Sequence, residues 1–321
     1  MGTGSGGNWK LTIRREERGV VLLQAVTCDR RAVLPEQVQG LPVIGVGNHA
    51  LSPTGRPAEG ETVLLGGGDP EDWSNRGLED LTLPRTLERI EDYALMNCSE
   101  LETLRLYDGI RLWGGGALTN CRRLRRICLT RVGEQGDTLA CLADELPWEL
   151  DVTVTGTDGA VARLIFPEYQ EVYEENCPAH HFDYNIYGAG YPYHHVFRHK
   201  RLDLRAYDEL WPGFLGMEHE ERCAVQLAFW RLWHPAELMP RARERYAAYL
   251  RAHGAAAALW LVEEQNPRGL AFLLRQADLS REELAEAAAL AREQGSTELL
   301  AILLEAQHRR GARGLEKSFD L

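Results

Sequence analysis

A repeat of 23 residues constrains this chain more than any other feature of its sequence. Residues 78–100 and 101–123 align without a gap, and a third, partial copy begins at Leu124. Eight positions are identical in the two full copies: Leu78/Leu101, Glu79/Glu102, Leu81/Leu104, Leu83/Leu106, Ala94/Ala117, Leu95/Leu118, Asn97/Asn120 and Cys98/Cys121. One copy is too short to bury its own apolar side chains, so this period predicts stacked coils that share a core.

A looser copy precedes the two full ones. The segment LPVIGVGNHAL (41–51) aligns with RTLERIEDYAL (85–95), and AVLP (32–35) supplies the strand before it. The residues between 51 and 78 are rich in Gly and Pro, and only 62–65 predicts a strand. We therefore expect an irregular coil with loop insertions in this part of the stack.

The LEDLTL segment of the repeat predicts a short strand in each coil. Leu81 and Leu83 alternate with Thr82, which places the two leucines on one side of the strand. Positions between the leucines then face outward, and a protein partner of the coils would contact them. These candidate partner-binding residues are Asp80, Thr82, Thr103, Arg105 and Arg126, with Arg122 near the far edge. A solvated strand face without a partner is the alternative for each of them.

The segments LPEQVQGLPVIGVGNHAL and LEDLTLPRTLERIEDYALMNCSELETLRL resemble the BspA-type, or Treponema-type, leucine-rich repeat family. The family pattern is approximately IPxxVxxIGxxAFxxCxxL. The resemblance covers residues 9–131, because NWKLTIRREERGVVLLQAV is similar to the N-terminal β cap of such proteins. The chain departs from the pattern at Leu95 and Leu118, where the family usually has Phe, and in its broken second coil. The resemblance implies a surface for protein–protein interaction and no enzymatic activity, and we expect no cofactor.

Residues 132–217 predict a region that caps the coils and connects them to the C-terminal part of the chain. DTLACLADELPWEL (137–150) predicts a short helix that ends at Pro147. DVTVTGTDGAVARLIFP predicts a β-hairpin around TDG. We expect both elements to close the open end of the stack, because an exposed last coil would offer its core to water.

The stretch 166–199 contains six residues that could ligate a metal: Cys177, His180, His181, His194, His195 and His199. Structural zinc uses Cys and His at similar spacings, and a cysteine beside a histidine can act as a nucleophile. The single cysteine and the adjacent His doublets count against zinc, and the lack of a recognisable third orienting group or oxyanion-hole segment counts against a nucleophile. A metal-dependent or thiol enzyme that uses Cys177 and these histidines is therefore the alternative function.

The same stretch is rich in aromatic residues. They are Phe182, Tyr184, Tyr187, Tyr191, Tyr193 and Phe197. Aromatic side chains of this kind either pack a buried junction between two domains or form an exposed recognition patch. Packing is favoured, because large aromatic residues are mostly buried on average.

Residues 218–310 predict about six antiparallel helices. Pro240 suits a first helical position and Gly254 a position after a C-cap, while Ser280 with Glu283 predicts a capping box. The segment ALAREQGSTELLAILLEA (289–306) resembles the helix pairs of ankyrin repeats, although the TPLH turn of that family is absent. The layout as a whole resembles bacterial leucine-rich repeat proteins. Residues 1–8 and 311–321 are expected to be a flexible N-terminus and a frayed tail.

Charge and composition limit the classes of partner. The 36 basic and 48 acidic residues give a net charge of −12, which disfavours nucleic acid even though CRRLRRICLTR is locally basic. No apolar run approaches eighteen residues, so we expect no membrane segment, and the N-terminus lacks the pattern of a secretory signal. Seven cysteines without a CxxC pair fit a reducing compartment, and we expect a cytoplasmic protein.

The sequence therefore predicts an α+β chain. A short leucine-rich repeat solenoid with a parallel sheet is joined to an all-α, ankyrin-like C-terminal domain. Its expected function is that of a non-enzymatic scaffold for a protein partner whose identity the sequence does not reveal.

Overall fold

The computed structural model describes residues 7–133, 136–176 and 181–319, and it contains both strands and helices. The chain is therefore α+β, as predicted. It divides into two compact units, the first ending at Tyr207 and the second beginning at Asp208. The sequence placed this division at 217/218.

The first unit holds most of the β structure. Its strands are β1 Trp9–Glu16, β2 Gly19–Val26, β3 Arg31–Val33, β4 Gln37–Val38, β5 Leu41–Val46, β6 Glu61–Leu65, β7 Asp80–Thr82, β8 Arg89–Ile90, β9 Thr103–Tyr107, β10 Leu112–Trp113, β11 Arg126–Thr130, β12 Leu150–Thr155, β13 Val161–Phe166, β14 Gln170–Asn176, β15 His181–Tyr187, β16 Phe197–Arg198 and β17 Arg201–Leu202. Its helices are α1 Thr138–Glu145 and α2 Tyr191–His194, and α3 Leu204–Glu209 spans the division between the units.

Two large sheets are built from these strands, and each repeat supplies one strand to each of them; β14 with β15 and β16 with β17 form separate two-stranded sheets. One sheet has the order β10-β8-β5-β2-β1-β6, with β4 also paired to β5, and the other has the order β13-β12-β11-β9-β7-β3. In the second sheet Leu81 lies opposite Leu104, and Leu104 lies opposite Ile127, all in parallel pairs. The period of the sequence and the register of the strands are therefore the same 23 residues.

The repeated apolar residues form the core of the first unit. Leu81, Leu104 and Ile127 are fully buried. Cys98 and Cys121 are buried as well, and their thiols donate to the carbonyls of Leu51 and Leu95 at 3.4 and 3.2 Å. These cysteines are thus packing residues, as the repeat predicts.

The repeated asparagines have a backbone role. Asn97 and Asn120 have φ values of 67° and 63°, a left-handed conformation that Asn adopts more readily than most residues. The Asn120 amide donates to the Asn97 side-chain oxygen at 2.8 Å. The repeated residue therefore sets the turn of each coil and links one coil to the next.

Residues 52–77 do not form a coil of their own, which corrects the expectation of an irregular coil there. Strand β5 pairs directly with β8, so no strand of the insertion lies between them. The predicted strand forms as β6, but it pairs antiparallel with β1 at the sheet edge. The side chain of Asn75 anchors the insertion by donating to the carbonyls of Ala25 and Leu51, both at 2.8 Å.

The predicted helix and hairpin form at the end of the repeats as α1 and β12–β13. Strand β12 pairs parallel with β11 and so extends the sheet. Within the repeats, the Leu95 N–H donates to the Ala117 carbonyl at 2.8 Å. The corresponding Leu118 N–H donates instead to the Glu145 carboxylate of α1, which also accepts from the Trp113 indole at 2.9 Å. Glu145 thus takes the place of the carbonyl that a further coil would supply.

The second unit consists of helices. They are α4 Trp211–Leu215, α5 Glu221–Trp233, α6 Pro240–Ala252, α7 Gly254–Glu263, α8 Pro267–Gln276, α9 Arg281–Glu293 and α10 Thr297–Phe319. The six helices from Glu221 onward confirm the predicted number, and α10 continues through 311–319, where a tail was expected. No helix in the part of the chain that the structure describes has the length and apolar character to cross a bilayer.

Local sequence signals fix the ends of these helices. Pro240 opens α6, and Ser280 with Glu283 forms the predicted capping box at α9. Gly254 follows the C-cap of α6 but also begins α7, with a φ outside the left-handed region. A Cβ at this position would lie 2.7 Å from Leu279, so glycine is needed there for close packing.

A buried ion pair explains why the second unit begins at Asp208. The guanidinium of Arg231, on α5, donates to both carboxylate oxygens of Asp208 at 2.7 and 2.8 Å. The Tyr246 hydroxyl of α6 donates to the same carboxylate at 3.0 Å. These contacts join the residues after Tyr207 to the helices rather than to the sheets.

Candidate functional site

The outward face of the β3-β7-β9-β11-β12-β13 sheet carries a groove of about 390 Å³, here called the strand groove. Its lining residues are Arg31, Glu79, Asp80, Glu102, Thr103, Arg105, Arg126, Cys128, Asp151, Thr153 and Arg163. Four of the six residues predicted to bind a partner are among them: Asp80, Thr103, Arg105 and Arg126. The parallel register brings them together, because Asp80 lies opposite Thr103 and Thr103 lies opposite Arg126.

The charges of the strand groove are balanced and largely paired. Four arginines face four carboxylates among the lining residues. Arg105 donates to Asp80 at 2.7 Å, and this hydrogen bond raises the pKa of the arginine. Arg163 binds both carboxylate oxygens of Asp151. The groove therefore has no net charge with which to attract a ligand of one sign.

Arg126 and Arg31 are more available than the other two arginines of the groove. Both side chains are exposed. Arg126 lies 3.7 Å from Glu102, too far for a hydrogen bond. Among the described residues, Arg31 has no ion-pair partner. These two guanidinium groups lie in one row with Asp80 and Thr103.

Three of the predicted residues, Thr103, Thr82 and Arg122, differ in how accessible they are. Thr103 was expected to face outward and it lines the strand groove, but it is only 5% exposed, because it lies between the longer side chains of Asp80 and Arg126 on the neighbouring strands. Thr82 is half-buried and does not line the groove. Arg122 is exposed in a turn outside it.

Sequence reasoning missed part of the groove. Asp151, Thr153 and Arg163 come from the β12–β13 hairpin, which was predicted only as a closing element. The alternation in DVTVT indicates which side chains share a face, but not that the strand joins β11 in parallel. Cys128 was missed as well. Burial raises the pKa of its thiol, and Arg105 donates to the sulfur at 3.3 Å.

The histidine-rich stretch is divided by the structure. Cys177 and His180 lie outside the described residues, as does the side chain of His181. His194 is buried, and its two ring nitrogens each lie 2.9 Å from a backbone carbonyl, of Ala143 and of Pro167. Burial lowers the pKa of this imidazole, although the two carbonyls act in the opposite direction. The carbonyls occupy both nitrogens of His194, so its role here is structural.

His195 and His199 have different surroundings. His195 is stacked on Tyr191 and bonded to the Tyr191 carbonyl at 2.7 Å, and His199 is exposed in the β16–β17 turn. Within the described ranges, no three His, Cys, Asp or Glu side chains gather as a metal site would require. The enzyme hypothesis rests on Cys177 and His180, which the structure does not describe, and it stays a prediction.

The aromatic residues of the stretch belong to two different environments. Tyr193 is buried and packs against Tyr207, and Phe197 is stacked on Phe166. Tyr184 and Tyr187 are instead 46% and 53% exposed on strand β15. One part of the stretch is therefore packed within the first unit and another part is exposed, while a role at a junction between two domains and a role in recognition both stay predictions.

Comparisons with known proteins identify one structural neighbour. No protein-family model and no curated protein matches the chain. The chain is similar to the crystal structure of the T. pallidum leucine rich repeat protein (TpLRR), with 20% sequence identity and a TM-score of 0.29. The match covers 37% of this chain and 50% of that chain, so this chain spans about half the length of that protein.

Proposed function

We propose that residues 9–131 form a BspA-type leucine-rich repeat solenoid and that the protein is a non-enzymatic scaffold whose strand groove binds a protein partner. The observation that carries this proposal is the agreement between the 23-residue sequence period and the pairing of Leu81, Leu104 and Ile127. Coils stacked in such a register present their outward side chains as one continuous sheet face. Extended faces of this kind are the surfaces that solenoid proteins use for binding.

The proposed partner presents both carboxylates and polar groups to the groove. Arg126 and Arg31 would receive the carboxylates, because Arg105 and Arg163 are already engaged by Asp80 and Asp151. The guanidinium group of arginine can bind a carboxylate through two parallel hydrogen bonds. The neutral groove would disfavour a partner of high charge density, which supports a folded protein surface or a mixed-charge peptide.

Two further parts of the proposal concern the second unit and the location. We assign α8–α10 to an ankyrin-like arrangement, supported by the turn at Gly295, which has a φ of 69° and separates α9 from α10. A cytoplasmic location is supported by the cysteines, since the six that the structure describes are all free thiols.

Crosslinking and affinity capture from the native cell tests the proposal. The bait proteins are the wild type, Arg126→Glu and a matched control, Arg123→Glu. Arg123 is exposed and pairs with Glu100, outside the groove. Recovery of at least one captured protein should fall about tenfold or more with Arg126→Glu, because a favourable charge contact becomes repulsive.

The control variant should recover the same proteins as the wild type, and circular dichroism should show that both variants are folded. Arg126 is preferable to Arg105 for this test, since charge reversal at Arg105 would also disturb Asp80. If both variants retain every captured protein at wild-type levels, the strand groove is not the binding surface.

A further inference from the structure

Strands β14 and β15 form a two-stranded ribbon that pairs with neither large sheet. Side chains are described at ten ribbon positions, 170–174 and 183–187, and nine of them are exposed, Val172 being half-buried. Both faces of the ribbon are therefore in water. An isolated ribbon of two strands is at best marginally stable under these conditions. Exposed apolar side chains on such a ribbon indicate a surface that a partner covers.

One face of the ribbon is aromatic. Tyr173 and Tyr184 lie opposite each other in the register, with ring centroids 4.8 Å apart. Ile186 comes next on the same face, opposite Glu171. The Tyr184 hydroxyl donates to the Glu171 carboxylate at 2.8 Å, so the tyrosine ring and the carboxylate are held together. Tyr173 is 70% exposed, more than Tyr184 or Ile186, the other large apolar side chains that the structure describes on this face.

The ribbon and the residues that flank it in sequence contain carboxylates but no Lys or Arg. Residues 164–197 contain no Lys or Arg, and they contain five acidic residues: Glu168, Glu171, Glu174, Glu175 and Asp183. Glu171 lies on the aromatic face and Glu174 on the opposite face, and both are exposed. Tyrosine rings beside carboxylates, with no cation of the chain nearby in sequence, form a surface complementary to positive charge.

We propose that this ribbon is a second binding surface, which docks an extended, cationic segment of a partner protein. Lys or Arg side chains of the segment stack on Tyr173 and Tyr184 and pair with Glu171 and Glu174. Neither outer edge of the ribbon pairs with another described strand, so the backbone of the segment adds along an edge by main-chain hydrogen bonds. This proposal is independent of the strand groove.

The charge of the ribbon decides among other occupants. A second copy of the chain would place one acidic ribbon against another, which is repulsive. Nucleic acids and anionic lipid surfaces carry the same sign as the ribbon and are disfavoured for the same reason. A basic protein segment is the occupant that satisfies the tyrosines, the carboxylates and the open edges together.

Fluorescence anisotropy with the full chain tests the proposal. The probe, called the Arg/Val peptide, is a fluorescein-labelled peptide of ten residues with the repeat Arg-Arg-Val-Val, which places arginines on both faces of an added strand. A Glu/Val peptide of the same length and pattern is the probe control. The wild type should bind the Arg/Val peptide and not the Glu/Val peptide. The variants Tyr173→Ser/Tyr184→Ser and Glu171→Gln/Glu174→Gln should each weaken binding about tenfold or more, since each removes two contacts with the cations.

The matched control is Glu286→Gln/Glu293→Gln, which removes two exposed carboxylates of α9 and makes the same change in net charge. It should alter the affinity less than about twofold. The proposal is overturned if the wild type does not bind the Arg/Val peptide, if the control pair weakens binding as much as the ribbon pairs, or if loss of both tyrosines has no effect. It is equally overturned if sedimentation shows self-association that the tyrosine variant abolishes, or if anionic vesicles bind the ribbon instead.

The groove variant separates the two proposals. Arg126→Glu should bind the Arg/Val peptide as the wild type does, because Arg126 lies on a different sheet. The ribbon variants should conversely retain the proteins that the strand groove captures. If the proposal for one surface is overturned, the proposal for the other surface can therefore still be tested.

Discussion

Replacement of Arg231 by methionine should remove a large part of the stability of the helical unit. Methionine is similar in length but has no charge and no donor. In the wild type, Arg231 is fully buried and donates to Asp208 at 2.7 and 2.8 Å and to the Ala236 carbonyl at 3.0 Å. The substitution leaves the Asp208 carboxylate buried without its counter-ion.

The size of the expected loss is set by this geometry. Removal of one member of a buried ion pair costs about 3–5 kcal/mol, because the remaining charge stays desolvated. The hydrogen bond from Tyr246 to Asp208 remains and keeps the loss within this range. A domain is typically stable by about 5–15 kcal/mol, so this loss is a large fraction of the stability of such a unit. The double variant Asp208→Asn/Arg231→Met should recover part of the loss, since it buries no charge.

Urea unfolding of the full chain, followed by circular dichroism at 222 nm, measures this loss. The signal reports mainly on α4–α10, where most of the helix is. A matched control lies on the same helix: Arg222 pairs with Glu263 and Glu264 at 2.7 and 3.0 Å but is about half exposed. Arg222→Met should cost less than about 1 kcal/mol. Equal losses for Arg231→Met and Arg222→Met would refute the assignment of a structural role to the buried pair.

Three further predictions concern the first unit. Glu145→Ala should lower its free energy of unfolding by about 1–3 kcal/mol and Glu145→Gln by less, since only the amide keeps an acceptor for the last coil; equal stability of the alanine variant in urea would contradict this. The lowered pKa of His194 means that the unfolded chain takes up the proton first, so stability is full above the ordinary value of 6.5 and declines as pH falls below it. Urea titrations at pH 7.5 and 5 should show that the free energy of unfolding declines less for His194→Asn than for the wild type. An equal decline in both proteins would show that His194 does not cause it. Alkylation followed by mass spectrometry should label exposed Cys28 in the native protein, while Cys98 and Cys121 react only after denaturation, since burial raises their pKa, to about 12 for Cys121; native labelling of all three would contradict their placement.

The sequence was sufficient to predict the stacking of the repeats and the starts of several helices, because these features depend on interactions between nearby residues or between equivalent repeat positions. The positions of Leu81 and Leu104 predict parallel stacking, because identical packing surfaces at a fixed interval fit best against each other. Pro240 and the Ser280–Glu283 capping box predict helix starts, because proline and capping side chains act on the backbone groups next to them.

The strand groove could be predicted only in part. The alternation of side chains indicates that Thr103 and Arg105 share a face, but the exposure of either depends on the lengths of side chains from neighbouring strands. Asp151 and Arg163 enter the groove because β12 joins β11 in parallel. That contact depends on the path of the chain through α1, and no local pattern encodes it.

In the ribbon, the composition of the aromatic stretch favoured buried tyrosines, whereas Tyr184 and Tyr187 are exposed. Tyrosines are buried on average, which favours packing for Tyr184 and Tyr187. Here, however, the carboxylates are distributed over both faces, with Glu171 on the face of Tyr184 and Glu174 on the face of Tyr187. Burial of either face within the chain would desolvate a carboxylate that has no Lys or Arg between residues 164 and 197 to pair with it. A partner that brings its own cations removes this penalty, and for that reason the tyrosines can be covered by a basic segment although the chain leaves them exposed.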